Sequence, residues 1–338
     1  MTAKVKKRDA KVTIHTVAKQ ANVSIATVSR VLSGSSTVRK DLADRVIAAA
    51  EELSYVPSAS AQNLAIGKTL TLGVIVPDLS NPYFPRVIKG IEKKAKESDY
   101  TTIIADSEGD AAAELSMVNR LSSKVDGLIL ISPRMDKVDF KNLENSKVPI
   151  VVLNRIDSGV GITNVSVDNF SAMSELCGLL LTLGHKKVSF LNGPEGSWQR
   201  EERKRAISNS EKYGLESVTI EAGGTIQSGY ENFELAMESK PTAIICFNDL
   251  VAYGVITRAK ELGIRIPQDL SVTGFDDIEF AQYSSPSLTT IQSPQGPLGI
   301  IGWETLFEKM QTGNSVTAPT IKATMIVRES TGPAKNQE

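Results

Sequence analysis

Side chains that most often carry redox, metal or proton-transfer chemistry are scarce in this chain: its 338 residues include two cysteines and two histidines, and aromatics make up 5%. Cys177 and Cys246 stand far apart in apolar surroundings, with no CxxC or Cys/His spacing. They read as small core residues in a reducing compartment rather than as a disulfide or a metal site. His15 and His185 have no Ser or Cys partner at a recognisable spacing, which argues against a nucleophile–base dyad. Long hydrophobic runs are missing as well. GLILI (127–131) and TAIICF (242–247) are strand-sized, far short of the roughly 20 residues that cross a bilayer. An amphipathic pattern, not an apolar h-region, follows the charged opening MTAKVKKRDAK, so the expectation is a cytoplasmic protein with no membrane segment.

What is present is a chain 41% hydrophobic and 23% charged, enough for a large buried core in two or three domains. Its net charge of −1 is unevenly placed: positions 1–67 hold ten basic and five acidic residues, leaving the remainder at −6. A basic head on an acidic body suits a polyanion bound by the head alone, although a solvated charge run would look the same.

The stretch HTVAKQANVSIATVSRVLSG (15–34) narrows that choice. Thr13 suits the N-cap of a first helix with Val17, Ala18 and Ala21 on its apolar side, and Asn22 tolerates the left-handed conformation that ends it. Ser24 then caps a second helix in which Val28, Val31 and Leu32 face inward, and Ser33-Gly34 stops it. The outer face carries Ala26, Ser29, Arg30 and Ser33, with Ile25 and Thr27 flanking its start. Small side chains beside one arginine let a helix sit deep in a DNA groove, where Arg forms bidentate bonds to guanine. The stretch therefore reads as a helix-turn-helix whose second helix is the reader, rather than as a plain helical hairpin with a polar surface. A third helix, roughly 39–54, places Leu42, Val46, Ala49, Ala50 and Leu53 on one stripe, and Pro57 ends it. SASAQNLA (58–65) is helix-compatible but too short to persist alone, because helix nucleation is costly.

The pattern TIHTVAKQANVSIATVSRVLSG…V…R…AAAEELSYVPSASAQNLA resembles the DNA-binding headpiece and hinge of the lactose-repressor/galactose-repressor (LacI/GalR) family of bacterial transcription regulators. The resemblance implies that Ile25, Ala26 and Arg30 read bases, with Thr13, Ser24, Thr27 and Ser29 supporting. It also implies that Ala61 and Leu64 lie in a hinge helix that forms on operator DNA, Leu64 as a minor-groove wedge. The implied head and hinge span 12–67, with the helix-turn-helix at 14–33 and the hinge at 58–65. Apolar Ile25 and Ala26 stand where other members can carry hydrogen-bonding side chains, and Ser33 where Asn is common. A palindromic operator with a central CpG is the family expectation.

Beyond the head, the runs TLGVIV, TTIIA, GLILI, PIVVLN, KVSFLN, TAIICF and LSVTGF alternate with helical patterns at 84–98, 110–124 and 249–262, which predicts a doubly wound α/β architecture of parallel sheets. From Leu72 onward the chain also resembles the family's effector-binding core, similar to periplasmic sugar-binding proteins. The implied core covers 70–333, with an N-lobe at about 70–165 and 294–322 and a C-lobe at about 166–291 and 323–333. Ligands in open α/β sheets bind beyond the carboxyl ends of strands. There stand Asp78, Ser80 and Asn81 with the aromatic pair Tyr83 and Phe84, then Asn154-Arg155, Asp168-Asn169, Asn248-Asp249 and Asp276-Asp277. The resemblance gives pocket roles to Ser80, Phe84, Arg203, Asn248 and Asp276. Tyr83, Asn154 and Trp198 complete the expected effector set, Trp198 as a stacking face. Gly224 and Gln295 replace aromatics usual in the family, implying a roomier, more polar pocket for a sugar, sugar acid or nucleoside.

An enzyme is the competing reading. Carboxylates adjacent in sequence, Asp276-Asp277 and Glu201-Glu202, seldom converge on one reacting atom, and NGPEGS lacks the GxGxxG and Walker patterns. A transport-binding protein would share the core but carry a secretory signal in place of the DNA-binding head. The expectation is therefore a homodimeric repressor, not an enzyme and without cofactor or metal, that binds double-stranded operator DNA under control of a small-molecule effector.

Overall fold

A computed structural model describes residues 12–32, 37–55, 68–157, 159, 161–314 and 319–335. The proposed hinge at 58–65, with Ala61 and Leu64, and the helix stop at Ser33-Gly34 lie outside the described residues. The chain forms two compact units, Met1–Leu70 and Thr71–Glu338.

In the first unit, α1 (Ile14–Ala21), α2 (Ile25–Leu32) and α3 (Lys40–Glu52) enclose a core centred on Val17, Val28 and Val46, with Ala18, Ala21, Ala49 and Ala50. Val31, Leu32 and Leu53 pack against it half-buried. Asn22 takes the left-handed conformation at φ 51°, which ends α1 and starts the turn. Arg45, on α3, holds that turn by donating Nη2 to the carbonyls of Ala21 and Asn22, the latter at 3.1 Å. A cation at a helix C-terminus also complements the helix dipole.

The second unit has two parallel sheets. The N-lobe sheet orders β11-β5-β4-β3-β1-β2, from β1 (Thr71–Val76), β2 (Thr101–Asp106), β3 (Gly127–Ile131), β4 (Ile150–Leu153), β5 (Thr163–Val167) and β11 (Thr320–Ile321). The C-lobe sheet orders β7-β6-β8-β9, from β6 (Lys187–Asn192), β7 (Glu216–Glu221), β8 (Ala243–Cys246) and β9 (Ser271–Thr273). β10 (Thr290–Gln292) and β12 (Thr324–Ile326) form a separate antiparallel ribbon. Strands β1, β3, β4, β6 and β8 are buried almost throughout, as expected where helices cover both faces of a parallel sheet.

Helices α4 (Tyr83–Glu97), α5 (Ala111–Leu121), α6 (Lys137–Asn142) and α12 (Gln295–Thr312) serve the N-lobe. Helices α7 (Asn169–Thr182), α8 (Trp198–Ser210), α9 (Ile226–Glu231), α10 (Phe233–Glu238) and α11 (Asp249–Glu261) serve the C-lobe. α4 and α12 meet nearly backbone to backbone: a Cβ on Gly299 would lie 2.1 Å from the Val87 carbonyl oxygen, and one on Gly90 would lie 2.3 Å from that of Gly296. The chain passes between lobes after β5, before α12 and between β11 and β12. Cys177 and Cys246 are free and buried, and His185 lies between the Thr242 hydroxyl and the Gly332 carbonyl.

Candidate nucleic-acid interface and ligand cleft

On the head, α2 turns Ile25, Ala26 and Arg30 to solvent, with Thr27 and Ser29 half-buried beside them. The Ser24 hydroxyl accepts the Thr27 N–H at 3.1 Å and lies 2.9 Å from the Thr27 hydroxyl, so its first task is to start the helix. Thr13 is exposed at the mouth of α1, where its N–H donates to the Thr16 hydroxyl at 3.3 Å. The result is a short helix with one long cation, Arg30, small Ala26 and Ser29 beside it and Ile25 at its start, a shape that admits close approach to a groove floor.

In the second unit a cavity of about 350 Å³ opens between the lobes at the carboxyl ends of the strands. Tyr83, Phe84, Asn154, Arg203, Asn248 and Asp276 line it, together with Ser132, Arg134, Asn169, Gln199, Gly224 and Phe247. Three of these follow strand ends with a left-handed backbone: Ser132 at φ 51°, Asn154 at φ 61° and Asp276 at φ 112°. Non-glycine residues held there are strained, and such strain gathers at binding sites because it re-aims side chains. A hydrogen bond spans the cleft from Gln199 Nε2 on α8 to the Ser132 hydroxyl after β3, at 2.6 Å. Nearby, Arg86 and Glu279 pair at 3.2 Å across the same divide.

Arg203 anchors the C-lobe wall. Its Nε donates to Asn169 Oδ1 at 3.0 Å, its Nη1 to the Phe247 carbonyl, and its Nη2 lies 3.7 Å from Asp276 Oδ1. The guanidinium stacks 3.5 Å from the Phe275 ring centre. Burial pulls its pKa down to about 10, so it stays cationic at neutral pH. Burial pushes Asp276 up to about 7 despite the facing arginine, which poises this carboxyl between its two states. Tyr83 is buried, edge-on to Phe84 at 5.3 Å, and its hydroxyl accepts from Asn154 Nδ2 at 2.6 Å. Two buried polar atoms of the facing N-lobe wall have no partner: Asn154 Oδ1 and Arg134 Nη1.

Two expected effector residues fall outside the lining. Ser80 is exposed and spends its hydroxyl on Asp78 Oδ1 at 2.6 Å. Trp198 is half-buried at the start of α8, whose phase turns Gln199 and Arg203, four residues apart on one face, toward the cavity instead. Asn248 lines the cavity, but its Oδ1 caps α11 through the Val251 N–H at 2.9 Å. Gln295 turns its amide onto the Asp276 carbonyl at 2.6 Å, out of the lining. The cavity is consequently at the small end of ligand pockets rather than roomy, even with Gly224 in its wall. Sequence reasoning missed Ser132, Arg134 and Gln199. Their one signal was position, just past β3 and at the head of α8. Asp277 serves structure, paired with Arg328 at 2.8 Å. Among the described residues no helix is long and apolar enough to cross a membrane, and no group of three or more His, Cys, Asp or Glu could hold a metal.

A three-helix head with a helix-turn-helix, followed by two parallel-sheet lobes with polar side chains converging between them, defines the class of DNA-binding regulators that carry a ligand-binding core. Residues 13–58 match the model for bacterial regulatory proteins of the lacI family, and residues 178–331 match a periplasmic binding protein-like domain. Catabolite control protein A of Priestia megaterium is 34% identical over 307 residues, covering 88% of this chain and 92% of that protein. The HTH-type transcriptional repressor PurR of Photobacterium profundum is 33% identical over 318 residues, covering 89% and 93%. Among solved structures, the Lac repressor dimer bound to operator and the anti-inducer ONPF superposes with a TM-score of 0.85 at 26% identity, over 95% of this chain and 99% of that one. A LacI family regulator from Enterococcus faecium with bound ribose gives a TM-score of 0.71 at 27% identity, over 78% and 100%. The chain belongs to the lacI family of bacterial regulatory proteins. It is a DNA-binding transcriptional regulator of the repressor type, not an enzyme.

Proposed function

We propose that the protein works in the cytoplasm as a homodimer on a palindromic operator, and that a small polar effector, a sugar, sugar acid or nucleoside, sets its operator affinity. The observation that carries this reading is the cleft: side chains of both lobes meet on one cavity, and the Gln199–Ser132 hydrogen bond spans it. A ligand there makes different contacts in open and closed arrangements, which is the condition for shifting a conformational equilibrium. Ribose in the Enterococcus faecium relative supports a carbohydrate-like ligand, and the operator-bound Lac repressor dimer supports two-fold binding. The edge strand β2, with Ile103 and Ile104 about 40% exposed, is available for a second copy. Two heads also supply the phosphate contacts that one short helix cannot.

On DNA, Ile25, Ala26 and Arg30 take base edges, while Thr13, Ser24, Thr27 and Ser29 support the backbone contacts. Ala61 and Leu64 serve the minor groove. The test selects an operator from random DNA and finds effectors by thermal shift with a sugar, sugar-acid and nucleoside panel. Operator affinity is then measured with and without each hit, in the native protein and in Arg203→Ala. A hit should change affinity in the native protein only. A ligand that stabilises the core yet leaves operator affinity unchanged refutes the reading, and a variant that still responds with unaltered ligand affinity places the pocket elsewhere.

A further inference from the structure

Resting on the reading of the cleft as the effector site, we propose that its occupant is an anion: a polyhydroxylated small molecule whose carboxylate or phosphate seats on Arg134. Arg134 stands three residues past the buried strand β3. Its backbone is pinned from behind, because buried Glu114 on α5 accepts the N–H groups of Arg134 and Met135 through one oxygen, at 2.8 and 3.0 Å. Pinned in this way, the residue joins the cavity lining, and its Nη1 is buried without a hydrogen-bond partner. Among the described residues it forms no ion pair. A desolvated donor of that kind costs stability until something accepts from it.

The two buried arginines nearby differ from half-buried Arg134. Arg203 is taken by Asn169, the Phe247 carbonyl and Asp276. Arg155 donates to the Met135 and Pro133 carbonyls and pairs with Asp157 at 3.5 Å. No carboxylate reaches ion-pair distance of the Arg134 guanidinium among the described residues: Glu114 attracts it from further off while one of its oxygens holds the two backbone N–H groups, Asp276 faces Arg203, Asp78 accepts from Ser80, and Glu108 and Glu195 are exposed. A guanidinium matches the two oxygens of a carboxylate or phosphate in a planar fork, and charge-assisted bonds of this type are about twice as strong as neutral ones. Asn154 Oδ1, the second unpartnered atom, asks for a donor, which a ligand hydroxyl supplies. A neutral sugar or nucleoside would satisfy Asn154 and would accept from Arg134 through a hydroxyl, but would leave the guanidinium's charge unbalanced.

The experiment is calorimetric titration of the full-length protein with neutral hexoses, the corresponding hexuronates and aldonates, and the hexose phosphates. It is repeated with Arg134→Met and Arg134→Lys, with melting curves to verify folding. At least one acidic sugar should bind about tenfold or more tightly than its neutral parent. Arg134→Met should erase that margin, and Arg134→Lys, which keeps the charge but not the fork, should retain only part of it. If Arg134→Met fails to fold, the lysine variant decides, since full affinity in it refutes a forked contact. Preference among uronates, aldonates and phosphates identifies the source of the charge. Neutral members that bind and alter operator affinity while acidic ones do not overturn the anion and leave the effector reading intact. Acidic members that bind the native and methionine proteins equally overturn the seat on Arg134. A panel in which nothing binds and operator affinity never changes overturns both readings.

Discussion

Replacing Arg203 with methionine keeps an unbranched stem in place but deletes the guanidinium that organises the C-lobe wall. The side chain is 5% exposed, so little of the loss is softened by water. Gone are the hydrogen bonds to Asn169 and the Phe247 carbonyl, the contact to Asp276 and the stacking on Phe275. Removing one member of a buried charged pair costs about 3–5 kcal/mol, because the partner is left uncompensated. That partner makes the cost depend on pH. Asp276 has a folded-state pKa of about 7, above its unfolded value, so the folded protein holds an extra proton between the two and its stability rises as pH falls through 7. Arg203 is the influence that holds Asp276 down, so the variant protonates it at still higher pH. The penalty at pH 8 should therefore exceed that at pH 6 by about 1–2 kcal/mol, at about 1.4 kcal/mol per pKa unit. Asp276→Asn in the same background should abolish that difference. Urea unfolding followed by circular dichroism at both pH values measures it. A penalty under about 1 kcal/mol, or one that does not change with pH, would refute the reasoning. Effector response should vanish in the variant while operator binding without effector remains.

On DNA, Arg30→Ala should weaken operator binding by about 1–3 kcal/mol and relax selection at one base pair, read by mobility shift against all four bases at each position. A uniform loss over all sequences would instead make Arg30 a phosphate contact. Leu64→Ala should reduce operator bending, measured by energy transfer between end labels, with the melting of the core unchanged, and an unaltered bend removes the wedge. In the core, a Cβ on Gly254 would lie 2.0 Å from the Ile226 carbonyl oxygen and 2.5 Å from the Tyr230 nitrogen, forcing α9 and α11 apart. Gly254→Ala should cost about 1–3 kcal/mol or more by overpacking. Gly178→Ala on α7, where nothing lies within 4 Å, should be neutral or stabilising, and equal melting temperatures for the two variants would contradict the packing argument.

The head is legible in sequence because its signals are local: the apolar stripe of α1, the left-handed Asn22 and the cap at Ser24 all act within a turn or two. The buried strands are legible for a similar reason, as short apolar runs between helical patterns. β7 and the β10–β12 ribbon are not, since ESVTIE, TIQ and TMI hold no continuous apolar run to find. In the cleft, Tyr83, Asn154, Arg203 and Asp276 follow from strand ends and the family resemblance. Trp198 shows the limit of that approach: one residue of helix phase separates it from Gln199, which makes a hydrogen bond across the cleft. Arg134 is hidden because its orientation depends on Glu114, on an earlier helix, and on the close approach of Gly196, whose Cβ would lie 3.0 Å from the Arg134 carbonyl oxygen.

The lobes interleave along the chain, and this sets an order of events during synthesis. α12 buries Leu298, Trp303 and Leu306 and closes against α4 at Gly90 and Gly299, while β11 pairs with β5 at the edge of the N-lobe sheet. Both elements leave the ribosome only after the C-lobe sheet has been made. At roughly 5–20 residues per second the N-lobe waits on the order of ten seconds with the β3–β4–β5 part of one face bare. The DNA-reading head, by contrast, is complete from the start. A nascent chain, or one truncated before residue 295, thus joins a finished reading head to an uncovered apolar sheet, a natural substrate for chaperones and proteases. The position of one late helix therefore sets how long the unfinished core stays open to them.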